Sequence, residues 1–292
     1  MSKELKFSVI TGSMGKVGDR YCLEGYKEDN TFEEKLEHLS KTSPLTGLEL
    51  CYNIDGDESD PEEVKRLMGK YNFTAPVVNA PLANSRKWKF GTFTAKCSDT
   101  REEALTIAKK TIDFAEAVGA EAVNLWLGQD GFDYSFQVDY SKQWEDMIEG
   151  LRKCADYKPH IKILLEPKMR EPRNRSFIDT GATAILLAKE VGRKNIGVTI
   201  DIGHVIQSGQ NISQVLEMCN RFGLLTNIHV NDNYGTWDDD MLMGSVHFIE
   251  FLEMFFILKK INYQGWLSVD IFPFREDSFT ATGESILYMK KL

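Results

Sequence analysis

Short apolar runs rich in β-branched and aromatic residues alternate along the chain with longer segments of helical period. Eight such runs stand out: KFSVIT (6–11), TGLELCY (46–52), FTAPVVNAPL (73–82), EAVNLWLG (121–128), IKILLEP (161–167), IGVTIDIG (196–203), LLTNIHVND (224–232) and GWLSVDIF (265–272). Between them lie helical patterns such as TREEALTIAKKTIDFAEAVG (100–119) and SKQWEDMIEGLRKCADY (141–157). The first of these begins at Thr100, has Glu103 three residues on and ends at Gly119, which predicts a capped start and a left-handed stop. No Pro/Gly/Ser-rich linker interrupts the alternation. It predicts parallel strands joined by crossover helices, and eight units in one domain over 1–292 predict an α/β fold, a single (β/α)8 TIM barrel. The competing architecture is an open doubly wound sheet, which expects a glycine-rich phosphate loop. The one glycine-dense stretch near a strand, TGSMGKVGDR, has neither GxGxxG nor GxxxxGK[ST] spacing.

The ends of the last four strands carry the chemistry. IKILLEP ends at Glu166, where the following proline stops the ladder; IGVTID ends at Asp201, LLTNIHV at His229 and GWLSVD at Asp270. In a parallel barrel all four positions share the C-terminal rim. Three crowded carboxylates repel one another unless a cation lies among them. Oxygen-rich ligation with one imidazole suits Mn²⁺, Mg²⁺ or Co²⁺ better than a structural zinc. His204, three residues after Asp201, and Asp238 and Asp240 in the loop GTWDDDM extend this set to a second ion, with Asp201 bridging. Lys168, two residues beyond Glu166, is positioned to stabilise developing negative charge or to carry a proton.

Composition narrows the function further. Hydrophobic residues make up 42% and charged residues 27%, with no apolar stretch approaching a membrane span. The N-terminal segment shows no signal-peptide pattern, and five scattered cysteines form no CxxC pair, so a cytoplasmic protein without membrane association is expected. A formal net charge of −9, with basic residues dispersed, argues against nucleic acid as the main partner.

The motifs LLEPKMREP, TIDIGH, HVND, WDDD and VDIFPFRED, in that order, resemble the xylose isomerase and L-rhamnose isomerase group of metal-dependent TIM barrels. FGTFTAKCSDTREEA and NLWLGQDGFDY are similar to that group's segments after strands three and four. The resemblance implies that Glu166, Asp201, His229 and Asp270 hold a structural metal and that Asp201, His204, Asp238 and Asp240 hold a catalytic one. It places Lys168 at the carbonyl end of the sugar, and Trp126 and Phe93 in the pocket wall. The implied reaction is aldose–ketose interconversion by hydride shift between C1 and C2, with divalent ions as Lewis acids and no organic cofactor. A homodimer or homotetramer is the implied assembly. The resemblance breaks at the end of strand two, where Cys51 or Tyr52 stands in place of the ring-opening histidine, so a sugar other than xylose is expected.

A metal-dependent ketose 3-epimerase, or a proton-abstracting enzyme on a keto sugar or oxidised glycoside, is the alternative on the same barrel. It expects two glutamates and one metal, whereas this chain has Asp270 and the WDDD loop. An endonuclease-like phosphodiesterase expects more than five histidines and a basic groove. A non-catalytic sugar-binding protein expects a decayed ligand set.

Overall fold

The structure is a computed structural model and describes residues 5–52 and 59–292. Eight parallel strands close into a barrel in chain order: β1 (Lys6–Ile10), β2 (Gly47–Cys51), β3 (Val77–Asn79), β4 (Ala122–Leu125), β5 (Lys162–Leu165), β6 (Ile196–Asp201), β7 (Leu225–Val230) and β8 (Trp266–Val269), with β8 pairing back onto β1. Every apolar run marked in the sequence supplies one strand. The third is the shortest, since Pro76 cannot donate to a ladder and only Val78 and Asn79 pair on both sides.

Helices surround the barrel: α1 (Phe32–Thr42), α2 (Pro61–Lys70), α3 (Ser98–Val118), α4 (Tyr140–Tyr157), α5 (Gly181–Val191), the short α6 (Ile202–Gln207), α7 (Ile212–Arg221), α8 (Phe248–Lys260) and α9 (Ser278–Met289). The α3 helix stops at Gly119, whose φ of 80° lies in the left-handed region that glycine adopts without steric cost. Its start lies earlier than the capping pattern predicts. Cys97 occupies the N-cap without a side-chain hydrogen bond, and Thr100 is already inside the first turn. A two-stranded ribbon, Gly131–Phe132 against Arg175–Ser176, joins the loops after β4 and β5 and was not anticipated.

Most of the apolar core packs between barrel and helices, and includes Leu36, Leu48, Val123, Leu151, Ile200 and Phe251. The interior toward the C-terminal end is polar instead. Thr199 donates to Asn124 (2.8 Å), Asn124 to Asn79 (2.8 Å), and Asn79 to Glu49 (2.9 Å), while Asn227 donates to Glu49 from the far wall (3.0 Å). This chain of side chains from β6, β4, β3, β2 and β7 is a hydrogen-bonded floor directly beneath the rim. Buried polar groups are tolerated only when paired in this way.

Candidate metal centre

Each of the strands β5 to β8 delivers one acidic or imidazole group at its end. Glu166 follows the last residue of β5, Asp201 ends β6, His229 is the penultimate residue of β7, and Asp270 follows β8. In the β6–β7 ladder Asp201 lies opposite His229. One ligand-capable atom from each of the four residues lies within 4.8 Å of all the others. His229 Nδ1 is 3.5 Å from Glu166 Oε1, 3.6 Å from Asp201 Oδ2 and 3.4 Å from Asp270 Oδ2.

A second group shares Asp201 with the first. The aspartate caps the N-terminus of α6 by accepting a hydrogen bond from the backbone N–H of His204 (2.9 Å), so the DIGH sequence turns His204 back over the rim. Gly203 is required here, because a Cβ would collide with the Asn231 side chain and crowd Asp238. Asn231 in turn donates to both oxygens of Asp201, at 3.3 and 3.1 Å. The loop that carries Asp238 is closed at its base by paired backbone hydrogen bonds between Asp232 and Met241. Asp201, His204 and Asp238 therefore converge. Asp240 is not among the atoms that converge there, but it lies near enough for the charges of Asp238, Asp270, Lys168 and Asp201 to act on it. Its φ of 46° turns the backbone, and its carbonyl accepts the N–H of Phe272, tying it toward the loop after β8.

The donor set fits divalent cations. His229 Nδ1, Asp270 Oδ1 and Asp238 Oδ1 are buried and have no hydrogen-bond partner among the described residues; buried polar atoms left in that state are costly unless something fills the space among them. Both imidazoles have one nitrogen committed elsewhere. His229 donates Nε2–H to Glu49 Oε1 (2.9 Å), leaving Nδ1 to face the carboxylates. His204 directs Nδ1 at the Pro167 carbonyl (3.0 Å), leaving Nε2 3.0 Å from Asp238 Oδ2. A hydrogen bond at the remote nitrogen is the usual way of fixing a ligating tautomer.

Electrostatics give the same picture. Burial alone would lower the pKa of His229, but Glu49 and Glu166 outweigh it and raise it well above the ordinary histidine range. His204 is pushed up to about 9 by Asp201 and Asp238 against the opposing effect of burial. Burial, with Asp201 and Glu166 nearby, lifts Asp270 to about 6 despite His229. Protons held on the two histidines thus stand where cationic charge is wanted.

Lys168 is almost fully buried. Its Nζ is 2.6 Å from Asp238 Oδ2 and 3.5 Å from Glu171 Oε2, and it lies over the Trp126 ring at 5.3 Å. Burial works against its charge, yet Asp238 and Asp240 hold its pKa above the ordinary lysine value. It is a fixed ammonium rather than a base. Trp126 is half-buried, its ring beneath the Lys168 ammonium.

Phe93 is not at the site: its buried ring packs against Gly150 in the middle of α4 and belongs to the core. In the loop that carries it, the buried Asp130 carboxylate accepts from the backbone N–H groups and the hydroxyls of Thr92 and Thr94. At the end of β2, Cys51 lies next to Gly12, whereas Tyr52 turns outward to stack near Phe114 (4.9 Å). Glu49, which no motif singled out, is fully buried and is the acceptor that orients His229. A lone glutamate within GLELC, with asparagines at Asn79, Asn124 and Asn227 in otherwise apolar strands, was the available signal.

A closed eight-stranded parallel barrel with carboxylates and imidazoles gathered on its C-terminal rim defines a class of metal-competent TIM-barrel proteins. The family model for the xylose isomerase-like TIM barrel matches residues 39–292, and the chain belongs to that family. The xylose isomerases of Rhizobium etli and Brucella canis are 28% and 29% identical to it over 174 residues, covering 57% of this chain and 40% of theirs. The match thus spans less than half the length of those relatives. A D-tagatose 3-epimerase-like protein superposes with a TM-score of 0.77 at 20% identity, over 98% of this chain and 96% of that one. The apo 3-keto-D-glucoside 4-epimerase of E. coli gives 0.74 at 17% identity, over 99% and 100%. At these identities the structural likeness establishes the shared fold.

Proposed function

We propose that the protein is a divalent-metal-dependent sugar isomerase that interconverts an aldose and a ketose, hydrogen passing as hydride between C1 and C2. The observation that carries this reading is the second convergent group, Asp201, His204 and Asp238, sharing Asp201 with the first. Glu166, Asp201, His229 and Asp270 would hold one ion, and Asp201, His204 and Asp238, with Asp240 beside them, the other. Mn²⁺ is the preferred candidate, with Mg²⁺ or Co²⁺ as substitutes, since the donors are oxygen and imidazole. Ions held there supply Lewis-acid polarisation of a carbonyl and its neighbouring hydroxyl.

The chain's own groups do the rest. Lys168, kept charged by Asp238, donates a hydrogen bond to the oxygen at the carbonyl end, where negative charge develops. Asp240, close to Asp238, Asp270, Lys168 and Asp201, is the carboxylate placed to relay a proton between adjacent sugar oxygens. The Trp126 ring covers the C–H face of the sugar and excludes water.

Ketose 3-epimerisation is the second reading. It is favoured by the ion pair of Lys168 with Asp238, which occupies one oxygen of a ligand that a second ion would need. Asp238→Asn separates the two. The isomerase reading expects that variant to keep the fold and one bound Mn²⁺ per chain while losing turnover by at least about 10³-fold; undiminished turnover removes the two-metal mechanism.

A further inference from the structure

A second site is built on the loop that begins at Lys168. Three backbone hydrogen bonds shape it: Lys168 N–H to the Ile178 carbonyl (2.9 Å), Ser176 N–H to the Met169 carbonyl (3.2 Å) and Glu171 N–H to the Arg173 carbonyl (2.7 Å). Its returning arm pairs with the loop after β4, Phe132 lying opposite Arg175. The two loops frame a solvent-open cavity of about 460 Å³ whose lining includes Arg170, Arg175, Ser135, Asn174 and Asp133.

Three arginines reach this region, and they are used differently. Arg173 is a structural anchor, donating to the Lys89 carbonyl (2.8 Å) and the Gly131 carbonyl (3.2 Å) and pairing with Asp133 (3.3 Å). Asp133 is further occupied by the backbone and side-chain N–H groups of Asn174, at 3.1 and 3.3 Å. The one carboxylate lining the cavity is therefore spent on the loop itself. Arg170 and Arg175 have no carboxylate partner among the described residues, and Arg170 Nε is buried without any hydrogen-bond acceptor. Arg175 and Ser135 are exposed, so the cost of taking a guanidinium nitrogen out of water with no acceptor falls on Arg170 alone. An oxyanion in the cavity would answer that nitrogen and give both arginines a common partner through charge-assisted, fork-shaped hydrogen bonds.

We infer that Arg170 and Arg175, with the Ser135 hydroxyl, form an oxyanion subsite that takes a phosphate ester or a carboxylate carried by the substrate. The claim that the anion belongs to the substrate rests on the function proposed above. The cavity wall and the reacting end are linked through the chain, since Met169 and Arg170 directly follow Lys168. The substrate class becomes an anionic sugar, held at its charged end by the two arginines and at its carbonyl end by Lys168.

The test uses the full chain and two probes, inorganic phosphate and glycolate, titrated by calorimetry against the parent protein, Arg170→Gln and Arg175→Gln. The expected result is saturable binding of one probe that weakens at least tenfold in each variant, with melting temperature and metal content unchanged. Preference for phosphate identifies an ester, and preference for glycolate identifies an acid. Anion captured by an ion at the rim would be indifferent to either substitution. Absence of saturable binding, or equal binding in parent and variants, overturns the subsite. Sugar turnover is not read, so failure here leaves the isomerase reading standing, and failure of that reading leaves this binding result standing.

Discussion

Replacing Glu49 with glutamine isolates what its charge does for the metal centre. In the native protein Glu49 Oε1 accepts from His229 Nε2 and Asn79 Nδ2, both at 2.9 Å, and Oε2 accepts from Asn227 Nδ2 at 3.0 Å. A glutamine amide that keeps its oxygen toward His229 and Asn79 turns its NH₂ toward Asn227. Asn227 can answer only by flipping its amide, which carries Nδ2 to the buried position where Oδ1 has no partner among the described residues. One buried donor is then left unpaired, so the fold should lose about 1–3 kcal/mol. What disappears is the anion that holds the Nε2 proton and makes Nδ1 a better ligand. Loss of such a partner typically costs about 10–100-fold in metal affinity, which is about 1.4–2.7 kcal/mol. Calorimetric titration with Mn²⁺, beside a thermal melt of the metal-free protein, reads both quantities. An Mn²⁺ affinity within twofold of the parent would refute the argument, as would a collapse of the metal-free melting temperature, which would make Glu49 a purely structural residue.

Three further outcomes follow from the same geometry. Glu166→Gln should lower bound metal and also the melting temperature of the loaded protein, because ligand binding to the native state adds to stability; full occupancy measured by atomic emission would contradict the ligand assignment. Asp130→Ala should cost about 2–4 kcal/mol in denaturant unfolding, since it leaves the donors of Thr92 and Thr94 unpaired in a buried loop; a loss under 1 kcal/mol would mean water replaces the carboxylate freely. The metal-free protein should lose up to about 3 kcal/mol as pH rises from about 6.5 through about 9, because the raised pKa of His204 favours the folded state only while the proton stays bound. Melts of metal-free and Mn²⁺-loaded protein across that range check it, and a flat metal-free curve would contradict it.

The barrel was legible because each strand combines an unbroken apolar stretch with an abrupt polar stop, and a parallel sheet buried on both faces demands that pattern. The four rim residues could be read from the same stops, since the residue that ends a barrel strand is the one the fold delivers to the site. Phe93 was misplaced because an aromatic residue beside a strand end has the same sequence appearance whether it faces the cavity or a helix. Only the closeness of the α4 backbone at Gly150 distinguishes them. Asp240 was grouped with Asp238 by spacing, and the left-handed backbone at Asp240 is a detail that spacing does not reveal. Glu49 escaped notice because alternation within GLELC is also what a half-exposed strand shows, and its burial depends on seven other strands. The ribbon that frames the oxyanion cavity pairs two residues with two, too short for any periodicity to reveal.

The central claim is a hydride shift carried out between the two convergent groups of the rim. Its most direct test is incubation of the Mn²⁺-loaded protein in D₂O with a panel of aldoses and ketoses, free, phosphorylated and carboxylated, with products followed by NMR. The account predicts ketose–aldose conversion without solvent deuterium at C1 or C2; deuterium entering C3 with inversion there would contradict it and establish epimerisation instead.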